Sequence, residues 1–245
     1  MLKLIHMEFM KLRRRKLIWL MLLAALFMPF FAFLYFHYFG DTGIVPAAFY
    51  RWSAFGFTLF IILPFVLGML CAVLVHDENR FDVLKQLWIV PVSKLGYFFS
   101  KFFVMLIYSV GFMLITAIAS VLFSVLPGYV AFEWDSIGFL LQKCMEIALL
   151  TALAMLPVFA IAASRKGYIL SVCVTLIYAF ASFFMTPINM YLHPLSSVSA
   201  IISRNGDIPG LVLPQAAHVP MALLCISVWG IAAVLFAMVS LNRGR

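Results

Sequence analysis

The sequence predicts an all-α integral membrane protein with six transmembrane helices. Of its 245 residues, 66% are hydrophobic and only 11% charged, and mean hydropathy is +1.12. Soluble domains carry about 25% charged residues. The apolar runs are continuous rather than alternating, which is the pattern of helices and not of barrel strands. In hydrocarbon each span must satisfy its own backbone polar groups, and a helix does so. With about 20 residues needed to cross roughly 30 Å of hydrocarbon, spans are expected at Leu17–Phe39, Phe55–Val75, Phe102–Leu126, Cys144–Ala163, Tyr168–Met185 and Val219–Val239. They form one membrane domain covering residues 1–245.

Ahead of the first span, Leu2, Ile5, Phe9 and Leu12 recur at helical spacing among Lys3, Lys11 and Arg13–Lys16. Residues 1–16 therefore read as an amphipathic helix in the headgroup layer, its basic side chains near anionic lipid. The start resembles a signal peptide. Its apolar run is too long, however, and ends in Phe36, Tyr38 and Phe39 instead of small residues, so it is expected to stay as the first span. Gly56, Pro64 and Gly68 in the second span and Pro157 in the fourth predict kinks or local unwinding. Tyr129 and Trp134 in the connection 127–136 are placed as interfacial anchors. The connection 186–218 is the longest, broken by Pro187, Pro194, Gly206, Pro209, Gly210 and Pro214. Within it Pro194–Ile202 reads as one short helix, with Pro194 suited to its first turn. Leu195, Val198, Ile201 and Ile202 give that helix an apolar face, expected to rest on, or re-enter, the outer membrane surface.

The formal net charge of +8 follows the same topology. With the N-terminus inside, all 17 basic residues except Arg51, Lys143 and Arg204 fall on the inner side. The positive-inside rule then places both termini in the cytoplasm, and the charge needs no nucleic-acid partner. Cys71, Cys144, Cys173 and Cys225 all lie in or beside apolar spans without a C-x-x-C pair, so they read as small hydrophobes and not as zinc ligands or a disulfide framework. The histidines at 6, 37, 76, 193 and 218 are scattered singly. No G-x-x-x-x-G-K-[ST], H-E-x-x-H or G-x-S-x-G pattern occurs. The chain is thus expected to carry no catalytic, cofactor-binding or metal site of its own.

The inner segment His76–Lys94 mixes carboxylates, bases and aromatics. Asp77 is placed to cap a helix from Glu78 to about Trp88, with acidic residues early and Lys85 late, in the order the helix dipole favours. Phe81, Leu84, Leu87 and Trp88 share one face, Pro91 ends the helix, and Ser93 caps the next. Lys94 and Lys101, seven apart, are expected to snorkel to the inner interface. An anionic leaflet repels Asp77, Glu78 and Asp82, whereas apolar anchors with a polar rim suit a protein interface. Near the outer boundary, Lys143 and Glu146 are three apart and share a helix face, which allows them to pair or to meet a substrate. Arg51 could meet an anionic headgroup or pyrophosphate.

Residues 77–101, DENRFDVLKQLWIVPVSKLGYFFSK, resemble the first cytoplasmic loop of type-2 ABC (ATP-binding-cassette) exporter permeases. The likeness extends to the basic amphipathic start, the six spans, the short connection Ser164–Gly167 and the structured last outer loop. It implies that residues 76–94 form a coupling helix seated in a groove of a soluble ATPase subunit, present in two copies. Asp77, Glu78, Arg80, Phe81, Asp82 and Lys85 would make that contact. ATP and Mg would be bound by the partner, and a second copy or a related permease would complete the transporter. General likeness is greatest to the bacitracin and lantibiotic-immunity permeases, which implies a bacterial cytoplasmic membrane and removal of an amphiphilic peptide antibiotic or its lipid complex. Alternatives are export of a lipid, small drug or ion, or a membrane scaffold or regulator that moves nothing.

Overall fold

The computed structural model describes residues 2–39, 45–80, 94–164, 167–205 and 217–243. The side chains of 2–3, 76–80, 205 and 241–243 are outside that description. The described residues are helical throughout apart from short connections. Six helices are long and apolar enough to cross a membrane: Lys16–Phe39, Pro46–Val75, Lys94–Val125, Trp134–Ser164, Tyr168–Ile188 and Val219–Ser240. An N-terminal helix, Leu2–Arg13, precedes them, and a short helix, Pro194–Ile202, lies between the fifth and sixth.

The spans divide into a core and a rim. The most apolar window of the second span is 78% buried and that of the fourth 72%, against 28% for the first, fifth and sixth. Trp19, Leu20, Leu23, Phe27, Ile177, Phe184, Leu224 and Ile231 accordingly stand exposed on the rim helices. Apolar exposure of this kind costs nothing where the solvent is lipid. Small residues set the closest approach in the core. A Cβ on Gly68 would fall 2.0 Å from Thr175 Cγ2, so the second span presents bare backbone to the fifth.

Three spans are irregular, each near a proline. The second begins at Pro46, nine residues earlier than expected. It contains two wide π turns, Arg51–Phe55 and Thr58–Ile62, with a non-helical ψ of −106° at Gly56 between them. The ring of Pro64 opposes the carbonyl four residues back, inside the second of these turns, and the extra residue relieves that clash. The fourth span breaks at Met155, between Trp134–Ala154 and Leu156–Ser164, just before Pro157. The first tightens to a 3₁₀ turn at Ala24–Leu26. Pro29 cannot bond the Ala25 carbonyl four residues back, and the Thr116 hydroxyl donates to that oxygen at 3.2 Å instead.

Two expectations need correction. The second-span helix continues unbroken from Leu63 to Arg80, so Asp77 is interior to it and does not cap a new helix. His76–Arg80 contain neither glycine nor proline, and an existing helix extends more readily than a new one nucleates. Lys101 does not snorkel: it is fully buried within the protein. The expected helix face at Phe81, Leu84, Leu87 and Trp88, the stop at Pro91 and the cap at Ser93 lie outside the described residues.

Candidate functional site

At the N-terminal end of the spans, Lys101 is enclosed by the N-terminal helix and the second span. Its Nζ donates to Glu8 Oε2 at 2.9 Å and to the Leu74 carbonyl at 2.9 Å, and it lies 5.0 Å from the centre of the Tyr97 ring. Glu8 also accepts from Lys11 Nζ at 2.8 Å, one turn along its own helix. One carboxylate thus bridges a buried lysine and an exposed one. The arrangement ties the N-terminal helix to the rest of the protein, with Leu12 buried beneath it. It also fixes the second span at Leu74, three residues before the first docking candidate. Asp77, Glu78 and Arg80 follow on the last turn of that helix, their side chains outside the description. Phe81, Asp82 and Lys85 lie outside the described residues.

The opposite end of the bundle repeats the chemistry. Lys143, nearly fully buried, donates to the Ile202 carbonyl at 3.5 Å and lies 3.5 Å from Glu146 Oε2. Arg204 Nη1 donates to the other Glu146 oxygen at 2.5 Å and to the Ile201 carbonyl at 2.9 Å. The pairing expected from the three-residue spacing is present, and Arg204 joins it from 58 residues away. Lys143 and Arg204 also meet carbonyls at the end of Pro194–Ile202, where cations are favoured by the helix dipole. Arg51 is half-buried within the second span instead of lying outside it. Among the described residues no ion pair joins Arg51 to Glu146.

Between these two ends lies a feature the sequence indicated only in part. Pro194–Ile202 is a helix as expected, but all nine of its residues are buried, polar face included. It re-enters the bundle instead of resting on its surface. The Trp229 indole donates to the Leu192 carbonyl at 3.1 Å, and the Tyr178 ring lies 4.2 Å from that of His193. Trp229 and Tyr178 are each near the middle of their spans, so the helix starts midway along the bundle and runs toward the Lys143 cluster. Serines make this tolerable. Ser196 donates to the carbonyls of Met190 and His193 at 3.1 and 2.7 Å, and Ser197 donates to Met190 at 2.9 Å. These bonds satisfy turn carbonyls that hydrocarbon would leave bare. Neither ring nitrogen of His193 has a hydrogen-bond partner among the described residues.

Two cavities flank these parts. One of about 480 Å³ lies between the first and second spans, lined by Phe31, Tyr35, Trp52, Phe57 and Ile61 among others. Tyr35 and Trp52 stack there with ring centres 5.8 Å apart. A wall so largely apolar and aromatic among its described residues can hold a hydrocarbon or an aromatic side chain. The second cavity lies beside Glu8 and Lys11.

Comparison with curated proteins finds no match. A family model described as ABC-2 family transporter protein matches residues 4–182, from the N-terminal helix through most of the fifth span. That match covers well over half of the sequence and includes the Glu8–Lys101 pair, the irregular second span and residues 76–94. With six membrane-crossing helices beside it, the chain belongs to the ABC-2 transporter family and is a multi-pass membrane permease subunit.

Proposed function

We propose that this permease clears an amphiphilic peptide antibiotic, or its lipid complex, from a bacterial cytoplasmic membrane. Two soluble ATPase subunits drive it through residues 76–94, and both termini are cytoplasmic. A second copy or a related permease completes the pathway. The observation that carries the coupling is the uninterrupted helix Leu63–Arg80, held at Leu74 by buried Lys101. A helix fixed at the membrane boundary and continuing beyond it passes a push on Asp77–Arg80 directly into the second span. That span bends at its π turns, beside the aromatic cavity. ATP binding closes the ATPases, tilts this rod and changes the cavity wall.

Lys143, Glu146 and Arg51 stand in this reading as outer contacts for the polar part of the cargo. The apolar cavity suits the hydrophobic part. Export of a lipid or small drug draws on the same cavity, and the two readings separate by cargo.

Co-purification with the cognate ATPase tests the docking. Phe81→Asp with Asp82→Lys abolishes association while the protein remains inserted; unchanged association sinks the assignment. ATP turnover of the complex is then measured against peptide antibiotics, lipids and small cations. Stimulation by lipids or cations and by none of the peptides removes the peptide reading and leaves the transporter.

A further inference from the structure

We infer that the cavity beside the Glu8–Lys101 pair is a binding site for the headgroup of an anionic phospholipid. It has a volume of about 460 Å³, and its lining includes Lys11, Arg14 and Arg15 from the N-terminal helix and the turn after it. Met7 and Met10 of that helix and Val73 of the second span supply apolar wall. Cations and hydrocarbon within one concave site match the two halves of a phospholipid at its neck, phosphate on one side and glycerol with the first methylenes on the other.

Position selects lipid over a soluble anion. The cavity lies at the boundary where the first span begins at Lys16 and the second approaches its end at Leu74. Basic pockets between helices at this level recognise anionic headgroups. Charge agrees among the described lining residues: Lys11, Arg14 and Arg15 stand there with Glu8, the one carboxylate among them, and Glu8 is itself paired with Lys101. Glu8 is held by Lys101, fully buried behind it, so a phosphate can draw on Lys11 without stranding the carboxylate. Arg14 is exposed and Lys11 half-exposed, which leaves both within reach of a lipid arriving from the membrane.

The cavity and the ion pair share Glu8 and Leu74, so an occupant presses on the base of the segment proposed to dock the ATPase. An anionic lipid bound there favours one tilt of the second-span rod and thereby sets the basal ATPase rate. This regulatory part rests on the docking reading. The binding does not, and it is measured without the ATPase.

The test uses the full chain in detergent, offered dioleoyl phosphatidylglycerol and dioleoyl phosphatidylcholine in equal amounts, with retained lipid read by native mass spectrometry. The wild type retains phosphatidylglycerol preferentially. Lys11→Gln with Arg14→Gln lowers that retention by roughly tenfold to thirtyfold, as loss of two cations near a membrane surface predicts. Arg13→Gln with Lys16→Gln removes the same charge from the same segment but not from the cavity lining, and retention stays within about threefold of wild type. Arg14→Gln alone preserves the Glu8–Lys11 pair and lowers retention about fivefold, which keeps the test sound if the double variant misfolds. Equal losses in the two double variants overturn the site in favour of diffuse attraction. Stripping of the lipid by millimolar inorganic phosphate overturns it in favour of a free-phosphate site. Full retention by the cavity variant with loss of ATPase association overturns it in favour of a protein contact.

Discussion

The two charged clusters at opposite ends of the bundle share a formula and differ in enclosure. Each has one carboxylate between a buried lysine and a more exposed cation, and each buried lysine also donates to a helix carbonyl. At the N-terminal end the contacts are 2.8–2.9 Å, with Lys101 at 0% and Glu8 at 10% side-chain exposure. At the other end Lys143 lies 3.5 Å from Glu146 Oε2 and from the Ile202 carbonyl, Arg204 meets Glu146 at 2.5 Å, and Glu146 is 22% and Arg204 31% exposed. A sealed pair with full hydrogen bonding holds its geometry, because breaking it strands a charge in a poorly polarisable interior. A looser, half-open cluster can exchange partners at small cost. The first suits an anchor beside the proposed docking segment, and the second suits a contact that rearranges more readily.

The most damaging way to break this contrast is Glu8→Ala, which takes the Glu8 carboxylate away from buried Lys101. A loss of about 3–5 kcal/mol is expected, read as a large drop in midpoint for thermal unfolding in detergent. Glu8→Leu with Lys101→Met recovers most of it; if the double variant is as unstable as Glu8→Ala, the two residues are not coupled. Gly68→Val supplies an uncharged standard. Its side chain must displace Thr175, at about 1–3 kcal/mol, and Thr175→Ala returns part of that. Next comes Arg204→Gln, expected to cost less than about 1 kcal/mol because the pair is partly exposed. Its stability effect fades in 0.5 M salt while that of Glu8→Ala persists. Equal salt sensitivity at the two ends would erase the distinction between anchor and exchangeable contact. Lys11→Gln is the smallest, within about 0.5 kcal/mol, since Lys101 still holds Glu8.

The parts legible in sequence are those written in local spacing. Continuous apolar runs located all six spans, although the second, third and fourth helices start earlier, at Pro46, Lys94 and Trp134. Pro194 followed by Leu195, Val198 and Ile201 marked the short helix to the residue, and Lys143 with Glu146 marked their pairing. Its burial on every side was not legible, because Ser196 and Ser197 look like surface residues until Met190 and His193 offer them carbonyls. The Glu8–Lys101 pair joins residues 93 apart and Arg204 reaches Glu146 across 58, and no periodicity encodes such distances. A trace was present nonetheless. Glu8 is the one carboxylate in a segment otherwise basic, and an acid has little reason to lie against an anionic leaflet unless a cation awaits it.

The re-entrant helix also constrains the order in which the protein can be made. Nine residues reach only about 14 Å, too little to cross a bilayer, so this segment cannot be threaded into lipid as a span. Its walls come from the fourth, fifth and sixth helices, and the sixth leaves the ribosome after it. Pro194–Ile202 therefore waits outside the membrane until the last helix arrives, then folds inward as its serines exchange water for the carbonyls of Met190 and His193. Completion of the last helix is the step that closes this half of the bundle, and a nascent chain halted before Val219 is expected to expose this segment to protease while its first five spans are already in place.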